Sequence, residues 1–223
     1  RGMSSAASDV YKRQIPKLEA ANDSVTLSTL TSNLSSFYQL VGDFEMAIEV
    51  CKKSLSYTSS EDHVAQARIK INLGRNYTEL KQHNKAQFYY KEALSLSKKN
   101  GNIRNRITAY NNIGTTYVKL GYFNKGIDNL EKGLFLAKSH AMVSDVAYLE
   151  FYISKAFYEN KFYKKAKEFG ERSSKMADSL MIMELMLDNY SLLGNIYEKL
   201  NDFKAVNSVL RKHIKTKNAA GEQ

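Results

Sequence analysis

The segments LGRNYTELKQHNKAQFYYKEAL (residues 73–94) and IGTTYVKLGYFNKGIDNLEKGL (residues 113–134) decide the reading of this chain. Laid over each other 40 residues apart, they pair Leu73 with Ile113, Gly74 with Gly114, Tyr77 with Tyr117, Leu80 with Leu120 and Ala86 with Gly126. Within the first segment, Leu73, Gly74, Tyr77 and Leu80 fall on one helical face. A short polar break follows at Lys81-Gln82-His83-Asn84. Ala86, Tyr90, Ala93 and Leu94 then share a second helical face. The second segment repeats this plan around a turn at Gly121-Tyr122-Phe123-Asn124. Each segment predicts helix, tight turn, helix.

The pattern runs on in both directions. Its aromatic recurs at Tyr38, Tyr77, Tyr117, Phe157 and Tyr197, in steps of 39, 40, 40 and 40 residues. Three residues before each stands a small residue: Ser35, Gly74, Gly114, Ser154, Gly194. Nine residues after each stands Ala47, Ala86, Gly126, Ala166 or Val206. A fixed period of this length means stacked copies of one supersecondary unit, not a single closed globule. The fold class is therefore all-α, an α-solenoid of roughly five antiparallel helix pairs. The repeats fall at about residues 23–60, 61–100, 101–140, 141–179 and 180–216.

The residue types have a steric logic. Small residues mark where the two helices of a hairpin cross closely, and the aromatic fills the gap between that hairpin and the next. Gly42 and Gly121 end a first helix in a left-handed conformation. Lys81, Lys161 and Asn201 stand in that place elsewhere, so those turns are expected to be strained or differently shaped.

Composition agrees. The chain has 223 residues, one proline and eleven glycines, which permits long uninterrupted helices. No apolar run approaches the roughly 20 residues that span a bilayer. A single cysteine, Cys51, excludes an intramolecular disulfide and a cysteine-built metal site. At a buried helix position it reads as an inert core thiol.

The ends read differently. Asp9-Val10-Tyr11-Lys12-Arg13-Gln14 matches the translation of a transposase adapter used in sequencing libraries, so residues 1–14 are read as a scar. Without them the formal charge of +10 falls to +8, still basic. Residues 15–22 (IPKLEAAN) look like the remnant of a preceding repeat helix. Residues 217–223 read as a truncated tail, after an apolar stripe of Val206, Val209, Leu210 and Ile214 with no polar cap. The expectation is a fragment open at both ends.

The Leu-Gly, Tyr, Gly, Ala, aromatic and Ala-Leu positions of residues 73–94 and 113–134 resemble tetratricopeptide repeats. The period is about 40 residues rather than the commoner 34. It is similar to the long-repeat arrays of kinesin light chains and of bacterial peptide-sensing regulators. Gly126 and Gly133 depart from the pattern where alanine is usual, as do Gly170 and Ser173 in the fourth unit. The resemblance implies a superhelix whose first helices line a concave, ligand-binding face.

On that face the resemblance places Asn33, Asn72 and Asn112, one repeat apart, followed by Tyr152 and Leu192. Amides both donate and accept, so such a ladder can pair with an extended peptide backbone or can simply hold neighbouring hairpins. Arg68, Arg75, Asn111, Thr115, Lys119, Tyr148, Phe151, Lys155 and Asn195 are expected alongside. Arg68 and Arg75 could grip a carboxylate. The carboxylate-clamp pattern for chaperone tails does not fit Ser32, Ser36, Thr108 and Asn112.

The functional expectation is a protein-binding or peptide-binding scaffold whose ligand is extended and partly acidic. The alternative is the sensor region of a bacterial signalling protein, a histidine kinase or transcriptional regulator, with its output domain outside these residues. The sequence argues against an enzyme: it has no phosphate-cradling glycine loop and no nucleophile elbow. It calls for no cofactor and no metal, because His63, His83, His140 and His213 lie far apart. It also argues against nucleic acid as a partner. The clusters Lys161, Lys164, Lys165, Lys167 and Arg211, Lys212, Lys215, Lys217 lie mostly on second helices, with Glu168 and Glu171 interrupting. No helix pairs an exposed apolar face with a basic one.

Overall fold

The computed structural model describes residue 9 and residues 13–221. Of the segment read as a scar, residues 1–8 and 10–12 lie outside the described residues. Ten α-helices follow a leading helical turn, α1 (residues 13–20). They are α2 (Ser24–Leu40), α3 (Phe44–Tyr57), α4 (His63–Glu79), α5 (His83–Lys99) and α6 (Ile103–Lys119), then α7 (Phe123–Ser139), α8 (Val143–Glu159), α9 (Tyr163–Leu180), α10 (Met183–Lys199) and α11 (Phe203–Gly221). The fold is an all-α solenoid. The chain divides into two compact units, Arg1–Asn112 and Ile113–Gln223, with the division inside α6.

α2, α3, α4 and α11 begin at an aspartate that offers an acceptor. Asp23, Asp43 and Asp62 each accept a hydrogen bond from the backbone three residues on, at Thr26, Met46 and Ala65. Asp202 does the same for Ala205 at 3.1 Å. Each such cap satisfies one of the donors that a helix start leaves unpaired.

Every hairpin closes in one way. The N–H three residues past the first helix donates to the carbonyl of the repeat aromatic: Asp43 to Tyr38, Gln82 to Tyr77, Tyr122 to Tyr117, Phe162 to Phe157, Asp202 to Tyr197, all at 2.8–2.9 Å. The residue between is left-handed each time: Gly42 at φ 79°, Lys81 at 57°, Gly121 at 82°, Lys161 at 64° and Asn201 at 58°. This is the Schellman closure. The turns at Lys81, Lys161 and Asn201 are therefore not differently shaped, as the sequence had suggested. The two hydrogen bonds impose the same backbone, and the side chains take the left-handed state. The turns also sit one or two residues earlier than expected, since His83 and Phe123 already open α5 and α7.

The small residues do what their spacing implied. A Cβ on Gly74 would lie 2.4–2.8 Å from the ring of Tyr90, across the α4–α5 crossing. One on Gly114 would meet Leu130 at 2.7 Å and the Gly126 carbonyl oxygen at 2.9 Å. Where serine replaces glycine, its hydroxyl donates across the same crossing, Ser35 to the Ala47 carbonyl at 3.2 Å and Ser154 to that of Ala166 at 2.7 Å. Phe157 and Tyr197 reach the preceding hairpin, while Tyr77 stacks on Tyr89 of its own. Phe157 meets Phe123 at 5.5 Å between ring centroids, and the Tyr197 hydroxyl donates to Glu171 at 2.7 Å.

In the first unit, Ile15, Phe37 and Met46 pack against Leu34, Tyr38, Ala47 and Val50, so α1 rests on the first hairpin. Cys51 is buried beside the Ser35 hydroxyl, and burial pushes its thiol up to about 11. In the second unit, Leu130, Leu149, Ile153, Leu185 and Ile196 are fully buried. Glu150 is buried among them and takes Lys138 Nζ at 3.0 Å and Arg172 Nε at 2.8 Å, which ties α7, α8 and α9 together. α11 runs on to Gly221, through most of the segment read as a tail.

Candidate functional site

The buried stripe of each first helix leaves an exposed stripe opposite, and the 40-residue register brings like positions together. Six of the predicted residues lie in the first unit. Asn33, Arg68 and Arg75 are exposed, while Asn72, Asn111 and Asn112 are half-buried. Arg68, Asn72 and Arg75 stand at i, i+4 and i+7 of α4, which is one face. Within the described residues, Arg68 and Arg75 meet no carboxylate, and the Asn33 and Asn72 amides make no hydrogen bond. Asn111 and Asn112 do interact within the protein. The ladder is thus uneven: two amides are free for a partner and the third is engaged.

The other five lie in the second unit. Lys155 and Asn195 are exposed, and Thr115, Tyr148 and Tyr152 are half-buried. Thr115 and Tyr152 have partners within the protein. Burial raises the Tyr148 phenol above its ordinary range, and the carboxylates of Glu184 and Asp188 add to the effect. These acids were missed, although the signal was available: Asp188 stands 40 residues after Tyr148 and 120 after Arg68. The face is therefore basic in the first unit and mixed in the second. Phe151 and Leu192 do not belong to it, because both are buried at 8% exposure between helices.

Away from this stripe, the second unit holds a cavity of about 410 Å³ among α9, α10 and α11, lined by Glu171, Asp178, Tyr190, Leu193, Tyr197 and Ala205 among others. In three earlier hairpins a lysine of the second helix covers the repeat aromatic: Lys85 over Tyr77 at 5.4 Å, Lys125 over Tyr117 at 6.0 Å and Lys165 over Phe157 at 5.4 Å. The matching position beside Tyr197 is Ala205, which lines the cavity, and Lys167 of α9 covers that ring instead, at 5.5 Å. Among the described residues no group of three or more His, Cys, Asp or Glu could hold a metal ion. No helix among them is long and apolar enough to cross a membrane.

Two family models, both described as tetratricopeptide repeat, match residues 26–99 and 107–140. The chain is a tetratricopeptide-repeat protein. Outer dynein arm-docking complex subunit 4 of Danio rerio is 29% identical over 133 residues, which is 60% of this chain and 27% of that protein. The repeat chain thus spans little more than a quarter of that relative's length. Among solved structures, BtubC (BKLC) from P. vanneervenii superposes with a TM-score of 0.80 at 20% identity, over 99% of this chain and 91% of that one. A Rap protein complexed with Competence and Sporulation Factor superposes with a TM-score of 0.78 at 17% identity, over 92% of this chain and 58% of that one. At such identities the likeness is one of fold. Tetratricopeptide repeats generally mediate protein–protein interactions.

Proposed function

We propose that this repeat array is a binding module that holds an extended segment of a partner protein along the exposed stripe of its first helices. The observation that carries this reading is on α4. Arg68, Asn72 and Arg75 project from one face, and none is paired within the described residues. Unpaired guanidinium groups beside a free amide suit a peptide that presents backbone amides and a carboxylate. An acidic ligand segment suits the stripe of the first unit, whereas Glu184 and Asp188 disfavour it on the stripe of the second. A Rap protein of similar fold is complexed with Competence and Sporulation Factor, which supports a repeat array as a ligand carrier.

The test begins with a twelve-residue peptide selected by display against the whole chain. Asn33→Ala together with Asn72→Ala should weaken its binding by about 1–3 kcal/mol, the cost of leaving peptide groups unpaired. Arg68→Glu with Arg75→Glu should invert the preference between acidic and basic variants of that peptide. Unchanged affinity in both variants, with helix content intact by circular dichroism, would sink the proposal.

A further inference from the structure

A second surface lies on the edge of the second unit formed by its hairpin turns. At the start of the second helix, two successive hairpins place an aromatic residue where others place a capping acid. Tyr122 and Phe162 stand in register with Asp43 and Asp202, and neither α7 nor α9 has a side-chain cap. Ser, Thr, Asp or Asn there would pair one of the free N–H groups of the helix start. The two rings do not recover this by burial, since Tyr122 is 55% exposed and Phe162 52%. Phe203, on the next turn along, is 63% exposed.

Lysines surround these rings. Lys125, Lys161, Lys164, Lys165, Lys199 and Lys204 are all exposed on the same turns. None of the six is ion-paired within the described residues. Glu159, Glu198 and Asp202 are the acids there, and Asp202 is occupied as a cap. The edge therefore carries a clear cationic excess around a row of apolar tips. Tyr122 and Phe162 occupy equivalent positions of successive repeats, and Phe203 stands one residue past that position in the next.

We propose that this turn edge binds an anionic lipid surface, with Tyr122, Phe162 and Phe203 entering the headgroup layer and the lysines meeting its charge. Aromatic tips flanked by lysine suit that interface, where one end of a ring is wet and the other apolar. Single-stranded nucleic acid fits less well, because base stacking needs free ring faces. Phe162 spends a face on Phe123, stacked at 5.5 Å, and the Lys125 ammonium lies 5.3 Å from the Tyr122 ring centroid. This surface is separate from the peptide stripe and stands or falls without it. No single helix carries it, because its residues come from turns of different repeats.

The chain has no tryptophan, so Phe162→Trp supplies a single reporter. Its emission should shift to the blue with phosphatidylcholine vesicles containing phosphatidylglycerol, not with phosphatidylcholine alone, and the shift should fade in high salt. The variant Lys161→Gly, Lys164→Gln, Lys165→Gln leaves the rings in place and relieves a left-handed lysine. It should bind these vesicles about 100-fold more weakly, from the usual contribution of each lysine near an anionic surface. Tyr122→Ser with Phe162→Ser should also lose vesicle binding while helix content is unchanged. A folded protein that ignores anionic vesicles overturns the proposal, as do variants that bind like the parent. A blue shift with a single-stranded oligonucleotide and none with vesicles would assign the edge to nucleic acid instead.

Discussion

Lys161 and Ala141 are left-handed, at φ 64° and 52°, without the freedom of glycine. That conformation costs a residue with a Cβ roughly 1–2 kcal/mol. The extra entropy of unfolded glycine takes back part of any gain from replacing them. Lys161→Gly and Ala141→Gly should each stabilise the protein by about 0.5–1 kcal/mol in urea denaturation. The helical glycines predict opposite signs. Gly74→Ala drives a Cβ into the Tyr90 ring and should cost about 1–3 kcal/mol. At Gly194 the nearest atom is Val209 Cγ2 at 3.8 Å, so Gly194→Ala should gain close to 1 kcal/mol of helix propensity. Spacing alone made these glycines look equivalent. Only the crossing geometry separates them, because the residue facing each one lies on another helix.

At the level of the helices, the hairpin plan was legible because small and aromatic residues return on a fixed period. Two features were not. The turns begin earlier than the polar runs suggest, since a Schellman closure is fixed by backbone hydrogen bonds to the aromatic's carbonyl and not by polarity. The ion triad at Glu150 was invisible too, because Lys138, Glu150 and Arg172 come from three helices with no sequence pattern linking them. Lys138 and Arg172 are about half exposed, so each alone should matter modestly. Lys138→Met with Arg172→Met leaves a buried carboxylate unpaired and should cost about 3 kcal/mol in chemical denaturation. Adding Glu150→Leu removes that charge and should restore most of the loss. A triple variant no more stable than the double would show that the unpaired Glu150 carboxylate is not the source of the loss.

Across the whole molecule, burial pushes the Tyr90 and Tyr190 hydroxyls up to about 12, with the Asp178 carboxylate helping at Tyr190. A phenol raised on folding stabilises the native state fully below its unfolded value, 10.0, and loses that contribution as pH climbs through the folded one. Helix content followed by circular dichroism should thus hold to pH 10 and fall between about pH 10 and 12. For the binding face, the sequence placed Asn33, Arg68, Asn72, Arg75, Lys155 and Asn195 on the surface, because the repeat register carries position from one helix to the next. It misplaced Phe151, one residue round the helix from Tyr152, because a face read from register has an uncertainty of one side chain. It also missed that the face changes charge along the chain. The central claim is that the first helices, not the second, hold the partner. The most direct measurement puts a photo-cross-linking residue at Asn72 or at Phe88, which is exposed on the second helix of the same hairpin, and irradiates each with the selected peptide. Cross-linking from position 72 and none from position 88 is the result predicted. Cross-linking from position 88 alone would contradict the account and move the binding face to the other side of the array.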